Sequence, residues 1–157
     1  MNAAANKPRL VIISRDALLA VHERNGGVSP VMAMLAKLSR KGRRLLLTAP
    51  EPERWVPTRK SVDSALVSQN ELIHEAREAG AELDGVYYVP RSLLTQNRNR
   101  TGALKDILSR YALKPGQALL ISDSGPFLRA AQSLDIPAQE VRNGAADDLI
   151  EALQSAQ

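Results

Sequence analysis

The chain has 157 residues, of which 44% are hydrophobic, and its 21 basic and 17 acidic side chains give a formal net charge of +4. This length is typical of one compact domain, so we expect a single domain over residues 9–157 after a flexible tail over residues 1–8. No stretch approaches the ~20 apolar residues of a membrane span, and the start lacks the apolar core of a signal peptide, so we expect a cytoplasmic protein.

Short apolar runs alternate with amphipathic segments along the chain, which is the pattern of successive βαβ units around a parallel sheet. Residues 49–60, "APEPERWVPTRK", contain three prolines and are predicted as a loop, in which Trp55 either covers a site or belongs to the core. In chain order we predict a strand over 10–13, a helix over 29–41 capped by Ser29, a strand over 44–48, a helix over 61–79, a strand over 85–89, a helix over 101–113, a strand over Ala118–Ser122, a helix after Pro126, a strand over 138–141 and a helix over 146–156.

Right-handed crossovers between these strands predict a Rossmann-like three-layer α/β sandwich. It has a parallel five-stranded sheet of order 3-2-1-4-5, helices on both faces and no large cap domain. Ligands of such sheets bind outside the carboxyl ends of the strands. The polar residues at the predicted strand ends are therefore candidate site residues: Ser14, Arg15, Asp16, Thr48, Ser122 and Asp123.

The residue composition limits the available chemistry. Cysteine is absent and only His22 and His74 are present, which excludes disulfides and thiolate catalysis and argues against zinc. Any metal would be a hard cation on oxygen ligands. Basic residues are spread along the chain, which favours a solvated surface over an anionic partner. Five aromatic residues are too few for a stacking platform, so we expect no nucleic-acid partner.

Four stretches of the sequence carry a resemblance to a known enzyme family. "LVIISRDALL" resembles a strand ending in Asp-Arg-Asp-Gly, "LLLTAP" a strand ending in Thr-Asn, "ELDGVYYVP" a Leu-Asp-Gly-Ile-Tyr-Tyr-Cys-Pro stretch, and "ALLISDSGPFLRAAQSLDIPA" a Val-Gly-Asp segment with its following helix. This layout resembles the phosphatases of the haloacid dehalogenase (HAD) superfamily, and most closely the branch of histidinol-phosphate and heptose bisphosphate phosphatases. The resemblance covers nearly the whole chain from Leu10, and "ELDGVYYVP" is its most branch-specific part.

The resemblance assigns roles to the candidate residues. In that family the first aspartate attacks phosphorus to form an aspartyl-phosphate, the second is the general acid and base, and magnesium joins the carboxylates to the phosphoryl oxygens. Ser14 falls at the nucleophile position, and Asp16 keeps the acid/base position as a vestige. Thr48 falls at the phosphate-binding position, and Arg15 is a further ligand-binding candidate.

The remaining motifs of the family are only partly present. The family's phosphate-binding lysine falls without gaps on Arg98, with Arg100 and Lys105 as alternatives. Asp123 is kept as a weak magnesium ligand, if it is one at all, whereas Phe127 stands where the family has a second carboxylate. The family's zinc loop corresponds to residues 89–100, which contain neither cysteine nor histidine, so no zinc is expected.

We therefore expect a phosphatase-like protein that is catalytically impaired and binds a phosphorylated or anionic ligand or a protein partner. Two alternatives stay open. One is a slow magnesium-dependent phosphomonoesterase, acting on a small sugar phosphate or histidinol phosphate, in which Asp16 or Asp123 activates water. The other is an interaction module that uses the basic loop around Arg98.

Each candidate residue also has a purely structural interpretation. Ser14 is expected to cap nearby backbone rather than to act as a nucleophile, because no histidine lies in motif range. Asp16 pairs with Arg15 or another arginine in this interpretation, and Asp123 caps the helix after Pro126. Solvated loop charges are the simplest interpretation of the arginines Arg91, Arg98 and Arg100.

Overall fold

The structure, a computed structural model, describes residues 7–24, 29–52, 64–90 and 96–157. Its five strands are Leu10–Ser14 (β1), Arg44–Pro50 (β2), Leu83–Val89 (β3), Ala118–Ser122 (β4) and Ala138–Glu140 (β5). They pair in parallel in the order β3-β2-β1-β4-β5, which confirms the predicted sheet.

Six α-helices are present among the described residues: Arg15–Arg24 (α1), Ser29–Arg40 (α2), Ser64–Glu78 (α3), Gln96–Arg110 (α4), Gly125–Ser133 (α5) and Ala146–Ser155 (α6). No sequence pattern predicts α1, because a polar triplet at a strand end is equally typical of a loop. Helix α4 begins at Gln96 instead of residue 101, since its polar first turns lack apolar periodicity but are helical in the structure.

The apolar residues of each strand alternate between two helical layers. Val11 and Ile13 of β1 pack into the cluster formed with α1, α2, α3 and α6. Leu10 and Ile12 point the other way, into the cluster with α4 and α5. Helices therefore cover both faces, as predicted, and both faces of the central strand are fully buried.

Several predictions about segments are only partly covered by the structure. The described residues contain no helix that is long and apolar enough to cross a membrane. Of the predicted tail, residues 1–6 lie outside the described residues, whereas Pro8 is described and buried. Trp55, the start of the third helix at 61–63 and the side chain of Ser29 also lie outside them.

Two tyrosine–aspartate hydrogen bonds hold α4 and its C-terminal turn against the edge strand β3. The Tyr87 hydroxyl donates to Asp106 Oδ2 at 2.6 Å, and Arg110 Nε donates to the same oxygen at 3.1 Å. The Tyr111 hydroxyl donates to Asp84 Oδ2 at 2.6 Å. Burial, followed by the hydrogen bond to Asp106, raises the pKa of Tyr87 to about 12. These bonds position the helix that carries Arg100.

We expect Asp106→Asn to lower the pKa of Tyr87 while leaving it above its ordinary value of about 10, because burial, the larger cause, remains. The neutral phenol is the form that the fold favours, so its contribution to stability is complete below pH ~10 and is lost as the pH rises through the folded pKa. NMR titration of labelled tyrosine measures the shift, and Asp84→Asn, which removes the partner of Tyr111, should leave Tyr87 unchanged. A Tyr87 pKa that Asp106→Asn leaves at the wild-type value would contradict the assigned hydrogen bond.

Candidate functional site

A cleft of about 450 Å³ opens at the carboxyl ends of the strands. The ends of β1 to β4, the starts of α1 and α5 and one residue of α4 form it, so it lies where doubly wound sheets bind their ligands. Its lining residues are Ser14, Asp16, Thr48, Ala49, Pro50, Val89, Pro90, Arg100, Ser122, Asp123, Ser124 and Phe127.

Ser14 is the last residue of β1 and makes two long hydrogen bonds. Its Oγ donates to Asp123 Oδ1 at 3.3 Å and accepts from the Ala17 amide at 3.4 Å. The second contact is the bond of an N-cap residue to the first turn of α1, in line with the capping interpretation. The 3.3 Å contact is well beyond the ~2.7 Å of a strong O–H···O bond, so the carboxylate does not hold the hydroxyl tightly.

Arg15 lies behind the cleft and does not line it. The residue is 5% exposed, and its Nε and Nη2 donate to Asp16 Oδ1 at 3.1 and 2.9 Å. Its Nη1 donates to buried Gln69 at 2.9 Å, and Gln69 Nε2 donates to the Tyr88 hydroxyl at 3.0 Å. The guanidinium therefore fixes one oxygen of Asp16, and the carboxylate of Asp16 remains half-exposed to the cleft.

Asp123 follows β4 and has two neutral hydrogen-bond donors. Its Oδ1 accepts from Ser14 and its Oδ2 accepts from Asn143 Nδ2, both at 3.3 Å. The residue that caps α5 is Ser124, whose side chain accepts from the Phe127 amide, so the interpretation of Asp123 as that cap is wrong. Asn143 comes from the loop before α6, and no motif in the sequence indicated its contact with the site.

Thr48 is a buried residue whose hydroxyl has no hydrogen-bond partner within the described ranges. The residue is 3% exposed, and among the described residues its hydroxyl makes no hydrogen bond. Every fully enclosed side-chain nitrogen or oxygen in the described part of the chain does have a partner. The Thr48 hydroxyl is therefore open to the cleft that the residue lines.

Of the three basic residues proposed for the family's lysine position, one reaches the cleft. Arg100 is half-buried on α4 and lines the cleft, whereas Arg98 and Lys105 of the same helix are exposed and do not. Helical spacing explains the difference, because residues two or five apart point in different directions around a helix. Arg91 lies outside the described residues.

Five of the described lining residues are apolar. Phe127 at the start of α5 is 8% exposed and lines the cleft, together with the last residues of β2 and β3 and the residue after β3. The apolar members of the lining are Ala49, Pro50, Val89, Pro90 and Phe127. The cleft therefore offers carbon contacts beside its polar groups.

The donor set of the cleft is a poor fit for a resident magnesium ion. No group of three or more histidine, cysteine, aspartate or glutamate side chains that could hold a metal occurs within the described ranges. Two carboxylates line the cleft, and Arg15 already binds one oxygen of Asp16. Magnesium requires near-octahedral oxygen ligation, which Asp123 and hydroxyl groups supply only in part.

Comparisons with known proteins show the fold. No protein family scanned and no curated protein matches the chain. A D,D-heptose 1,7-bisphosphate phosphatase from B. bronchiseptica, complexed with magnesium and phosphate, is 20% identical, with a TM-score of 0.64 over 87% of this chain and 83% of that one. The corresponding enzyme from Burkholderia thailandensis is 18% identical, with a TM-score of 0.58 over 92% and 84%.

A third neighbour is the cobalt-bound deoxy-D-mannose-octulosonate 8-phosphate phosphatase from Haemophilus influenzae, which is 12% identical, with a TM-score of 0.52 over 96% of this chain and 90% of that one. The chain therefore has the Rossmann-like α/β fold of the HAD phosphatases. Two of these structural neighbours, the heptose bisphosphate phosphatases, belong to the branch that the sequence motifs resemble.

Ser14→Asp is expected to destabilise the protein at neutral pH, because it puts a second carboxylate beside Asp123 Oδ1. In a domain of this size the Tm should fall by about 2–4 °C for each kcal/mol of repulsion, as thermal denaturation without divalent ions would measure. Millimolar MgCl₂ should raise the Tm of this variant and leave that of the wild type almost unchanged. Ser14→Asn, which has the same shape without the charge, is the control, and a magnesium shift of equal size in all three proteins would contradict the poor fit.

Proposed function

We propose that this chain belongs to the HAD superfamily, binds a phosphorylated small molecule in its cleft and is impaired in hydrolysis. The observation that carries the proposal is the Thr48 hydroxyl, which is open to the cleft and has no hydrogen-bond partner among the described residues. A hydroxyl has one donor and two acceptor lone pairs, so an oxygen of a ligand in the cleft can accept a hydrogen bond from Thr48. This available hydroxyl supports the proposal that the cleft binds a ligand.

The anionic character of the ligand is supported by Arg100. This arginine lines the same cleft and offers the fork of N–H donors that matches phosphate oxygens. Two neighbours of the fold are phosphatases of heptose bisphosphate, and one of these is complexed with phosphate. A phosphoryl group between Thr48 and Arg100 therefore agrees with the side chains and with the fold.

The impaired hydrolysis is inferred from Ser14 and its surroundings. A serine hydroxyl needs a base to become a nucleophile, and the group nearest to its oxygen is the Asp123 carboxylate at 3.3 Å. A carboxylate is a far weaker base than the alkoxide that it would have to produce, and the contact is long. The mixed anhydride of aspartate and phosphate cannot form at a serine. In this proposal the protein keeps phosphate binding and lacks the covalent step.

Binding is tested by isothermal titration with inorganic phosphate and with heptose 1,7-bisphosphate. Thr48→Val keeps the shape and removes the hydroxyl, so we expect affinity to fall about tenfold. Arg100→Gln should weaken binding by tenfold or more through loss of a charge-assisted bond. Arg98→Gln is the matched control on the exposed side of α4 and should bind as the wild type does. Equal affinity of the wild type and all three variants would contradict binding of the phosphoryl group in the cleft.

Hydrolysis is tested with p-nitrophenyl phosphate, histidinol phosphate and heptose 1,7-bisphosphate in the presence of magnesium. We expect turnover at least several powers of ten below that of an active phosphatase, because losing a covalent nucleophile has costs of that order. Release of phosphate is the readout, with Asp16→Asn beside the wild type. Rapid magnesium-dependent turnover that Asp16→Asn abolishes would establish the active phosphomonoesterase instead.

A further inference from the structure

We propose that the Asp123 end of the cleft binds a primary ammonium group of the ligand, so that the ligand is a zwitterion with its anionic group at Thr48 and Arg100. The proposal rests on the proposed function, because the same molecule occupies both ends of the cleft. Its starting point is the charge of Asp123, a cleft-lining carboxylate that no cation neutralises among the described residues.

The partners of Asp123 leave its charge uncompensated. Both of its oxygens accept from neutral groups, the Ser14 hydroxyl and the Asn143 amide, and both distances are 3.3 Å. Arg142 is adjacent to Asn143 in sequence, but its guanidinium is engaged by Asp148 at 2.8 and 2.9 Å. A carboxylate in a partly enclosed cleft is more stable with an opposite charge beside it, so this end of the cleft favours a cation.

The acceptors around Asp123 suit a singly charged ammonium. An ammonium group has three N–H donors and no acceptor. Asp123 supplies carboxylate oxygens, Ser14 Oγ has a further lone pair, and Asp16 lines the same cleft. Arg15 binds Asp16 Oδ1 only, so Oδ2 is the second carboxylate oxygen available. One ammonium can use these acceptors without the octahedral shell that magnesium demands.

Thr48 of β2 and Asp123, which follows β4, lie on opposite sides of β1, because β2 and β4 flank that strand in the sheet. Arg15 pairs with Asp16 from behind, and the cleft is also lined by Asp123, which follows β4, and by Arg100 of α4. An anion at Arg100 complements one of them and an ammonium at Asp123 complements the other. A ligand that carries only a phosphoryl group leaves Asp123 unpaired, so it binds less well than its aminated counterpart.

The proposal is tested with two probes of similar shape, O-phosphoethanolamine and propyl phosphate, titrated calorimetrically in EDTA at low salt. The wild type should bind O-phosphoethanolamine about tenfold more tightly, as expected for a charge-assisted bond in a cleft. In Asp123→Asn the ratio of the two dissociation constants should fall close to one. Asp147→Asn, which removes an exposed carboxylate of α6 outside the cleft, should keep the wild-type ratio.

The outcomes separate this proposal from the proposed function. Equal binding of both probes by the wild type would overturn the ammonium site and leave phosphate binding intact, whereas binding of neither would overturn both. A preference that survives in Asp123→Asn would place the ammonium elsewhere. If Asp123→Asn fails to fold, ¹⁵N NMR of the wild type with each probe tests the ammonium site instead. The amides of Ser124 and Asn143 should shift with O-phosphoethanolamine and not with propyl phosphate, and identical shifts with both probes would reject the site.

Discussion

The parallel register of β1 against its two neighbours brings the polar residues at the ends of β1, β2 and β4 to one edge of the sheet. Ser14 pairs with Thr48 across β1 and β2, and Ile13 pairs with Ile121 across β1 and β4, which places Ser122 next to Ser14. A slip by one residue would turn each strand's apolar side chains to the opposite layer. The packing of the two cores therefore fixes the register, and the register fixes the site.

The charged side chains at this edge of the sheet determine which ligands the cleft can bind. Ser14 places a hydroxyl and not a carboxylate at the end of β1, and Arg15 holds one oxygen of Asp16 from behind. Asp123 is left with neutral donors, while Thr48 is left without a partner in the described part of the chain. These unsatisfied groups support a cleft that binds a charged ligand, as proposed, more than one that transfers a phosphoryl group.

The edge of the sheet contributes through α4. Strand β3 has a single neighbour, and its residues are only partly buried. The hydrogen bonds of Tyr87 with Asp106 and of Tyr111 with Asp84 fasten α4 and its C-terminal turn to this strand. Because Arg100 is carried on the same helix, the orientation of the basic end of the cleft depends on contacts at the opposite end of α4.

The sequence by itself determined the five strands, their order and the convergence of Ser14, Thr48 and Asp123 on one edge. These features follow from hydrophobic periodicity and from the handedness of crossovers, which are local or general properties of a chain. Only the tertiary structure decided that Arg100 and not its helical neighbours lines the cleft, and that Asn143 reaches Asp123. Such choices depend on contacts between distant segments, since 109 residues separate Ser14 from its partner Asp123 and 54 separate Arg15 from Gln69. A local sequence pattern cannot predict hydrogen-bond partners that are this far apart in sequence. The distance between two such side chains depends on how whole helices and strands pack.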